Sequence, residues 1–293
     1  MGGRVSVTLR LACPACGRDD WKPDLAAGAH ALVRCRCGLR ALDRAPDAGA
    51  ALHDNENMYG AEEYNAWYRT MRDVLTARYR GDLDEIERLH PSRGAILDVG
   101  CSYGWFLQVA AERGWTTAGI EATDATAREA RQAGLDVRTG TIEAAGYDEA
   151  SFDVVCLWDV LEHVPQIDTF LAEIRRVLRP GGLLAINSPN IASVMARQAG
   201  ADWSWLLLPH HVWQFTPAAM RATVQTRGFA VERSYTWEPP EAFVQDLKLY
   251  KRRPRLGAKA VRRVTDKLLV PAEKAWCRLG YGGLIRLYAR RAP

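Results

Sequence analysis

The chain has 293 residues, 48% hydrophobic and 25% charged, with a formal net charge of +4. That length suits one sizeable domain with appendages or two small ones, and the composition is that of an ordinary soluble globular protein. No apolar run reaches the roughly 18 residues that a spanning helix needs, so no membrane span is expected. The start, MGGRVSVTLRLACPAC, has no long apolar core and no small-residue cleavage site, so an unprocessed cytoplasmic chain is expected. Charge is unevenly placed. Gln245 to Pro293 holds 14 Lys+Arg and 3 Asp+Glu, or +11, leaving 25 basic and 32 acidic residues, or −7, elsewhere. A nucleic-acid binder spreads positive charge over its ligand face, so nucleic acid is not an expected partner.

Residues 1–44 carry Cys13-Pro-Ala-Cys16 and then, after 18 residues that begin with Gly17, Cys35-Arg-Cys37-Gly38-Leu39. Four thiolates at such spacing read as a zinc-ribbon-like segment with a closed, structural Zn2+ site. The second pair is C-x-C, one residue shorter than the usual knuckle. Cys101, Cys156 and Cys277 are scattered, and an odd total argues for thiols and metal rather than disulfides. Residues 45–93 read as a linker and N-terminal helices. ALDRAPDAGAALHDNENMYG is small and polar, and AEEYNAWYRTMRDVLTARYRGDLDEIERLH has helical periodicity that ends before Pro91.

From Ala95 onward strands and amphipathic helices alternate. Strand candidates are Ala95–Val99, Thr116–Glu121, Asp136–Thr139, Phe152–Trp158, Gly182–Ser188, Phe229–Tyr235 and Leu284–Ala289. Such alternation predicts an α/β fold with a doubly wound parallel sheet over 94–293. A helical basic insert interrupts it at about 238–281.

The first strand ends in an acid and a bend, AILDVGCSYGWFL. A dinucleotide fingerprint needs glycines at 100, 102 and 105, where this chain has Gly100, Ser102 and Trp105. A Walker loop needs a Lys that is absent. Asp98 repels phosphate and suits a positive charge or an amine. Glu121, at the tip of the second strand, suits ribose hydroxyls. A nucleoside with a cationic amino-acid end fits both acids, and S-adenosylmethionine (SAM) is such a molecule.

Six blocks in order resemble the class I SAM-dependent methyltransferases, in the subgroup that includes the ubiquinone-biosynthesis methyltransferases. They are LDVGCSYG (97–104), GIEA (119–122), GTIEAA (140–145), FDVVCLWDVLEHV (152–164), EIRRVLRPGGLLAINSPN (173–190) and HHVWQFTPAAMRATVQTRGF (210–229). The resemblance implies a Rossmann-like seven-stranded sheet. It implies that Asp98, Gly100 and Gly104 line the methionine part of SAM, with Cys101 and Ser102 among the cofactor contacts. Glu121 would bind the ribose, Thr141 and Ile142 would flank the adenine, and Trp158 would lie near the methyl group. Quinone-forming relatives hold a divalent metal on an E-V-x-E-H stretch. Here Asp159, Glu162 and His163 stand in that place, which makes Mg2+ a candidate cofactor.

Methyl transfer needs alignment and, for a hydroxyl acceptor, a base. His163, His210 and His211 are the candidate catalytic residues. ADWSWLLLPHHVWQFT offers Trp203, Trp205, Leu206 and Trp213 as a pocket for an apolar or planar acceptor. The basic insert, with Val261, Val264, Leu268, Ala272, Trp276 and Leu279 at helical spacing, is read as a solvated flap or as a peripheral membrane contact reaching a lipid-linked acceptor. The leading expectation is O-methylation of a small-molecule or lipid-linked acceptor. The alternatives are C-methylation of a nucleotide sugar or natural-product intermediate, a zinc-ribbon rRNA methyltransferase, and a non-catalytic SAM-binding protein.

Overall fold

A computed structural model of the chain describes residues 11–239 and 270–293. The elements begin with β1 (Lys22–Ala27), β2 (His30–Arg34), β3 (Arg40–Leu42), α1 (Ala48–Tyr59), α2 (Glu62–Thr70) and α3 (Arg72–Leu89). There follow β4 (Ala95–Val99), α4 (Trp105–Glu112), β5 (Thr116–Glu121), α5 (Asp124–Gln132), β6 (Val137–Thr139), α6 (Ile142–Ala145) and β7 (Phe152–Trp158). The rest are α7 (Ile167–Val177), β8 (Leu178–Pro189), α8 (Val194–Ala199), β9 (Trp213–Gln214), α9 (Pro217–Gln225), β10 (Phe229–Trp237), α10 (Val270–Arg278) and β11 (Leu284–Arg291).

The seven-stranded sheet runs β10-β11-β8-β7-β4-β5-β6. The strand-order reversal between β4 and β7 is the switch point of a doubly wound fold. All seven strand candidates form strands of this sheet. β4 pairs in parallel with β5 and β7, and β5 with β6. β4 is central and buried on both faces, which is why AILDV reads as continuous apolar residues rather than an alternation. Its register sets Asp98 opposite Gly119 on one side and Cys156 on the other. Gly119 has no side chain for a packing reason. A Cβ there would stand 2.7 Å from both Cys101 Sγ and Leu107 Cδ1.

The chain divides into two compact units. One comprises Pro46–Ile186, Val224–Glu232 and Tyr288–Pro293. Its core joins Ile96 and Val154 of the sheet to Phe106, Leu107 and Ala110 of α4 and to Leu83 and Ile86 of α3. The other comprises Met1–Ala45, Asn187–Thr223 and Arg233–Leu287. It contains a four-stranded sheet, β1-β2-β3-β9. Its core gathers Leu32, Ile191, Met195, Trp203 and Leu206.

Two local expectations differ from the structure. The stretch 41–60 read as a linker ends β3 and then forms α1. Asp47 supplies the reason, since its side chain accepts the Ala50 N–H at 2.8 Å and caps the helix. Asp47→Ala should loosen α1 by about 1 kcal/mol, read as faster amide exchange confined to that helix. The single periodic stretch 61–90 is also two helices, with Met71 between them. Of the basic insert, 240–269 lies outside the described residues. Among the described residues no helix is long and apolar enough to cross a membrane.

Candidate active site

The acid-bend-helix unit is built on backbone that only certain residues adopt. Gly100 and Gly104 have φ of 76° and 71°, and Ser102 also turns left-handed at 48°. A Cβ on Gly100 would meet Val160 Cγ2 at 2.7 Å, so glycine is needed there for conformation and for space. The turn is pinned from the neighbouring strand. The N–H groups of Gly100 and Cys101 both donate to the Ile120 carbonyl, at 2.7 and 3.0 Å.

Asp98 and Glu121 face the same bend. Glu121 is 8% exposed, and it accepts the Ser102 N–H on one oxygen and the Thr123 N–H on the other, both at 2.8 Å. Asp98 is 2% exposed, and its Oδ1 is buried with no hydrogen-bond partner. Burial first, and then the Glu121 charge, holds the Asp98 carboxyl well above the usual carboxylate range. Burial also raises Glu121, against the lowering pull of its two backbone donors. Two buried acids, both raised by burial and Asp98 further by the Glu121 charge, define a site that gains from a cation. The orphaned Oδ1 is therefore an observation that fits the ammonium or sulfonium end of SAM.

The other expected cofactor residues fall in the same unit. Cys101 is buried in the bend. Thr141 is half-buried and precedes α6, and Ile142 is buried. Trp158 ends β7 with its ring edge-on to Phe106 at 5.3 Å. Trp105, the position that breaks the dinucleotide pattern, opens α4 and packs its ring against those of Tyr68 at 5.1 Å and Tyr103 at 5.2 Å, which also lie 5.9 Å from each other. The Tyr103 hydroxyl donates to Asn65 Oδ1 at 2.7 Å, so α2 is fastened to the bend through an aromatic ridge.

After β7, Asp159 is left-handed with φ of 58° and pairs with Arg78 of α3 at 3.4 Å. Glu162 is buried, and the His163 Nε2 lies 3.4 Å from the Tyr59 hydroxyl. Of the expected Mg2+ set, Glu162 and His163 bring donor atoms within 4.8 Å of each other, whereas Asp159 is not part of that group. A guanidinium already neutralises Asp159, which removes the charge that a divalent ion needs there. Tyr59 is a site residue that the sequence reading missed. It stands at the end of the stretch read as a linker.

In the other unit, His210 is half-buried and His211 is 2% exposed. The His211 Nδ1 lies 2.9 Å from the Trp205 carbonyl oxygen. A carbonyl only accepts, so Nδ1 carries a proton in this contact. Trp203 and Leu206 are buried in the unit's core with Trp205 packed against it, while Trp213 lies in β9.

Cys13, Cys16, Cys35 and Cys37 place their four sulfurs within 4.8 Å of one another. The cross-pairs Cys13–Cys37 and Cys16–Cys35 are each 3.5 Å apart. Tetrahedral zinc with bonds of about 2.3 Å sets sulfurs about 3.8 Å apart, so the cluster fits that ion despite its C-x-C pair. Burial pushes the Cys35 thiol up to about 12 and raises Cys13 further. Burial also raises Cys16, but the Arg18 N–H and the neighbouring thiols outweigh it and lower that thiol. Cys13 and Cys35 are thus poorly placed to ionise without a cation.

A family model described as a methyltransferase domain matches residues 69–234. A probable S-adenosylmethionine-dependent methyltransferase of Mycolicibacterium smegmatis is 28% identical over 193 residues, covering 65% of this chain and 69% of that protein. A ubiquinone biosynthesis O-methyltransferase of Maricaulis maris is 33% identical over 150 residues, covering 46% of this chain and 59% of that enzyme, under two thirds of its length. Among solved structures, a SAM dependent methyltransferase from Archaeoglobus fulgidus aligns with a TM-score of 0.54 at 18% identity, covering 75% of this chain and 94% of that one. At that identity the likeness is one of fold.

Proposed function

We propose, from the premise that this chain belongs to the methyltransferase-domain family and is a class I SAM-dependent methyltransferase, that it methylates a hydroxyl oxygen of a small-molecule acceptor, free or lipid-linked. The observation that carries the oxygen assignment is His211, a buried imidazole whose tautomer is set by the Trp205 carbonyl. With Nδ1 turned to that carbonyl, the proposal gives the base's role to Nε2, since an unperturbed imidazole titrates near neutral pH, where a base for a hydroxyl proton is most effective. The names of the ubiquinone relatives support the same reading, at about a third identity.

The cofactor's part is brief: when bound, SAM would supply a methyl group activated by a sulfonium, whose sulfur leaves as the neutral thioether of S-adenosylhomocysteine. The residues of this chain do the rest. Asp98 takes the positive end, Glu121 takes the ribose hydroxyls, and Thr141 and Ile142 flank the adenine. The Gly100–Gly104 bend lets the backbone approach closely. His211 takes the acceptor's proton as the new O–CH3 bond forms.

The test is methyl transfer from isotope-labelled SAM to a panel of catechols and phenols, with product analysis by mass spectrometry. A methyl ether is the expected product. Label on carbon, or transfer to none of the hydroxyl probes, overturns the oxygen reading.

The four cysteines hold one structural zinc ion in this reading. Elemental analysis of purified protein should find about one zinc per chain, and Cys35→Ser should lose it. Protein with full activity and no zinc would remove the ion from the account. Because burial holds Cys13 and Cys35 protonated in the empty site, zinc uptake should also release protons, measurable in weakly buffered solution.

A further inference from the structure

The cysteine cluster and the acceptor segment belong to one sheet. β3 begins at Arg40, three residues after Cys37. It pairs antiparallel with β9, Arg40 opposite Gln214 and Ala41 opposite Trp213. The Leu42 N–H extends that ladder by donating to the Val212 carbonyl at 2.9 Å. β9 in turn begins two residues after His211. The knuckle that would hold the metal therefore leads into the strand on which the histidine-bearing segment is hung.

Side chains reinforce the ladder. The Trp21 ring lies 6.4 Å from that of Trp213, and its Nε1 donates to the Leu11 carbonyl at 2.7 Å. Leu32 of β2 is fully buried with Ile191, Met195, Trp203 and Leu206, and Leu25 of β1 packs against the same cluster. Within the segment, Gln214 Nε2 donates to the carbonyls of Leu206 and His211 at 3.1 and 3.4 Å. β9 so holds the turn that presents His211.

The strand is only two residues long. Such a strand has no stability of its own and depends on the partner edge that it pairs with. That edge, β3, is three residues long and follows the cysteine knuckle, where Cys35 N–H bonds the Leu39 carbonyl at 2.9 Å and Gly38 N–H bonds the Cys35 carbonyl at 2.9 Å. Without a metal, the four thiols give this knuckle little to hold it.

We propose that the cysteine module is the scaffold of the acceptor side: metal bound by Cys13, Cys16, Cys35 and Cys37 orders β3, and β3 orders the segment 205–216 that presents His210 and His211. Trp21 is a positioning residue in this device. The proposal rests on the zinc and acceptor readings above, and the experiment separates it from both.

Amide exchange is measured by mass spectrometry on the full chain in three states: as purified, after zinc is stripped with a chelator, and as Trp21→Ala. Binding of S-adenosylhomocysteine is measured on each. Stripping should speed exchange of the 205–216 amides about tenfold or more and leave the β4–β5 amides protected. Trp21→Ala should speed the same amides while its zinc content stays that of the unmodified chain. Affinity for S-adenosylhomocysteine should change less than about twofold in both, since an order-of-magnitude loss would mean global unfolding instead. Unchanged exchange at 205–216 after metal loss overturns the proposal. If the purified chain carries no zinc, the zinc reading fails and the metal step falls with it. The Trp21→Ala arm then decides whether the ribbon still orders the segment, and unchanged exchange there removes the coupling altogether. Failure to methylate a hydroxyl probe bears only on the acceptor reading and leaves the exchange result intact.

Discussion

Asp98→Asn should weaken S-adenosylhomocysteine binding about 10- to 100-fold, the loss of one charge-assisted hydrogen bond of roughly 1.5–3 kcal/mol. With Glu121→Ala added, the loss should reach about 100-fold or more. Calorimetric titration measures both. The same Asp98 substitution should stabilise the ligand-free protein, because it removes a buried ionisable group that burial and the Glu121 charge disfavour. The sign follows from proton binding. The folded-state carboxyl lies well above its ordinary value, so between the two values the folded chain holds more protons than the unfolded one. Stability of the ligand-free wild type must therefore fall as pH rises through that window. The Asn variant lacks that slope, so its melting temperature should exceed the wild type's by a margin that widens as pH rises above the ordinary carboxylate value. Ligand should reverse the order, since the wild type gains more from S-adenosylhomocysteine than the variant does. A variant less stable than wild type at pH 8 without ligand would mean that Asp98 serves the fold rather than the cofactor.

This opposition explains why the cofactor half of the molecule was legible in the sequence. An acid in the middle of AILDV conflicts with a strand buried on both faces. The conflict has a use only if a ligand cation resolves it. Glycines at 100 and 104 sit where φ is positive, and a period-2 or period-3.6 pattern flanks each sheet strand. Those signals are local, and the strand bounds for Ala95–Val99, Thr116–Glu121 and Phe152–Trp158 follow from them directly. What stayed hidden depends on distant pairing. β9 is two residues long, and nothing in Trp213–Gln214 marks it as a partner of Arg40–Ala41, 173 positions away. α1 is polar and small, without an apolar stripe to announce it, and its only strong local sign is Asp47 three residues before the Ala50 N–H. Tyr59 was missed for that reason. For the Mg2+ expectation, the hidden partner belongs to Asp159. DVLEH has metal-ligand residue types, but Arg78, 81 positions upstream, pairs with Asp159, and no spacing rule within the motif reports that.

His211 allows a substitution test in which fold and chemistry separate. His211→Asn keeps a side-chain N–H near the position of Nδ1, so it can still donate to the Trp205 carbonyl, but it has nothing at Nε2. His211→Gln does the reverse, reaching the Nε2 position and leaving the Trp205 carbonyl unserved. If His211 removes the acceptor's proton, both variants lose turnover by about 100-fold or more, since neither side chain is basic near pH 7. S-adenosylhomocysteine affinity should hold in both, and the Asn variant should also keep wild-type stability. If His211 only braces the Trp205 turn, the Asn variant keeps its turnover and the Gln variant alone fails. The pH profile gives an independent check. Loss of an imidazole base flattens the rise in kcat between about pH 6 and 7.5, whereas loss of a brace lowers the whole curve without changing its shape. His163→Gln and His210→Gln complete the set, and a flattened profile in either one, with His211→Asn fully active, would move the base to that residue.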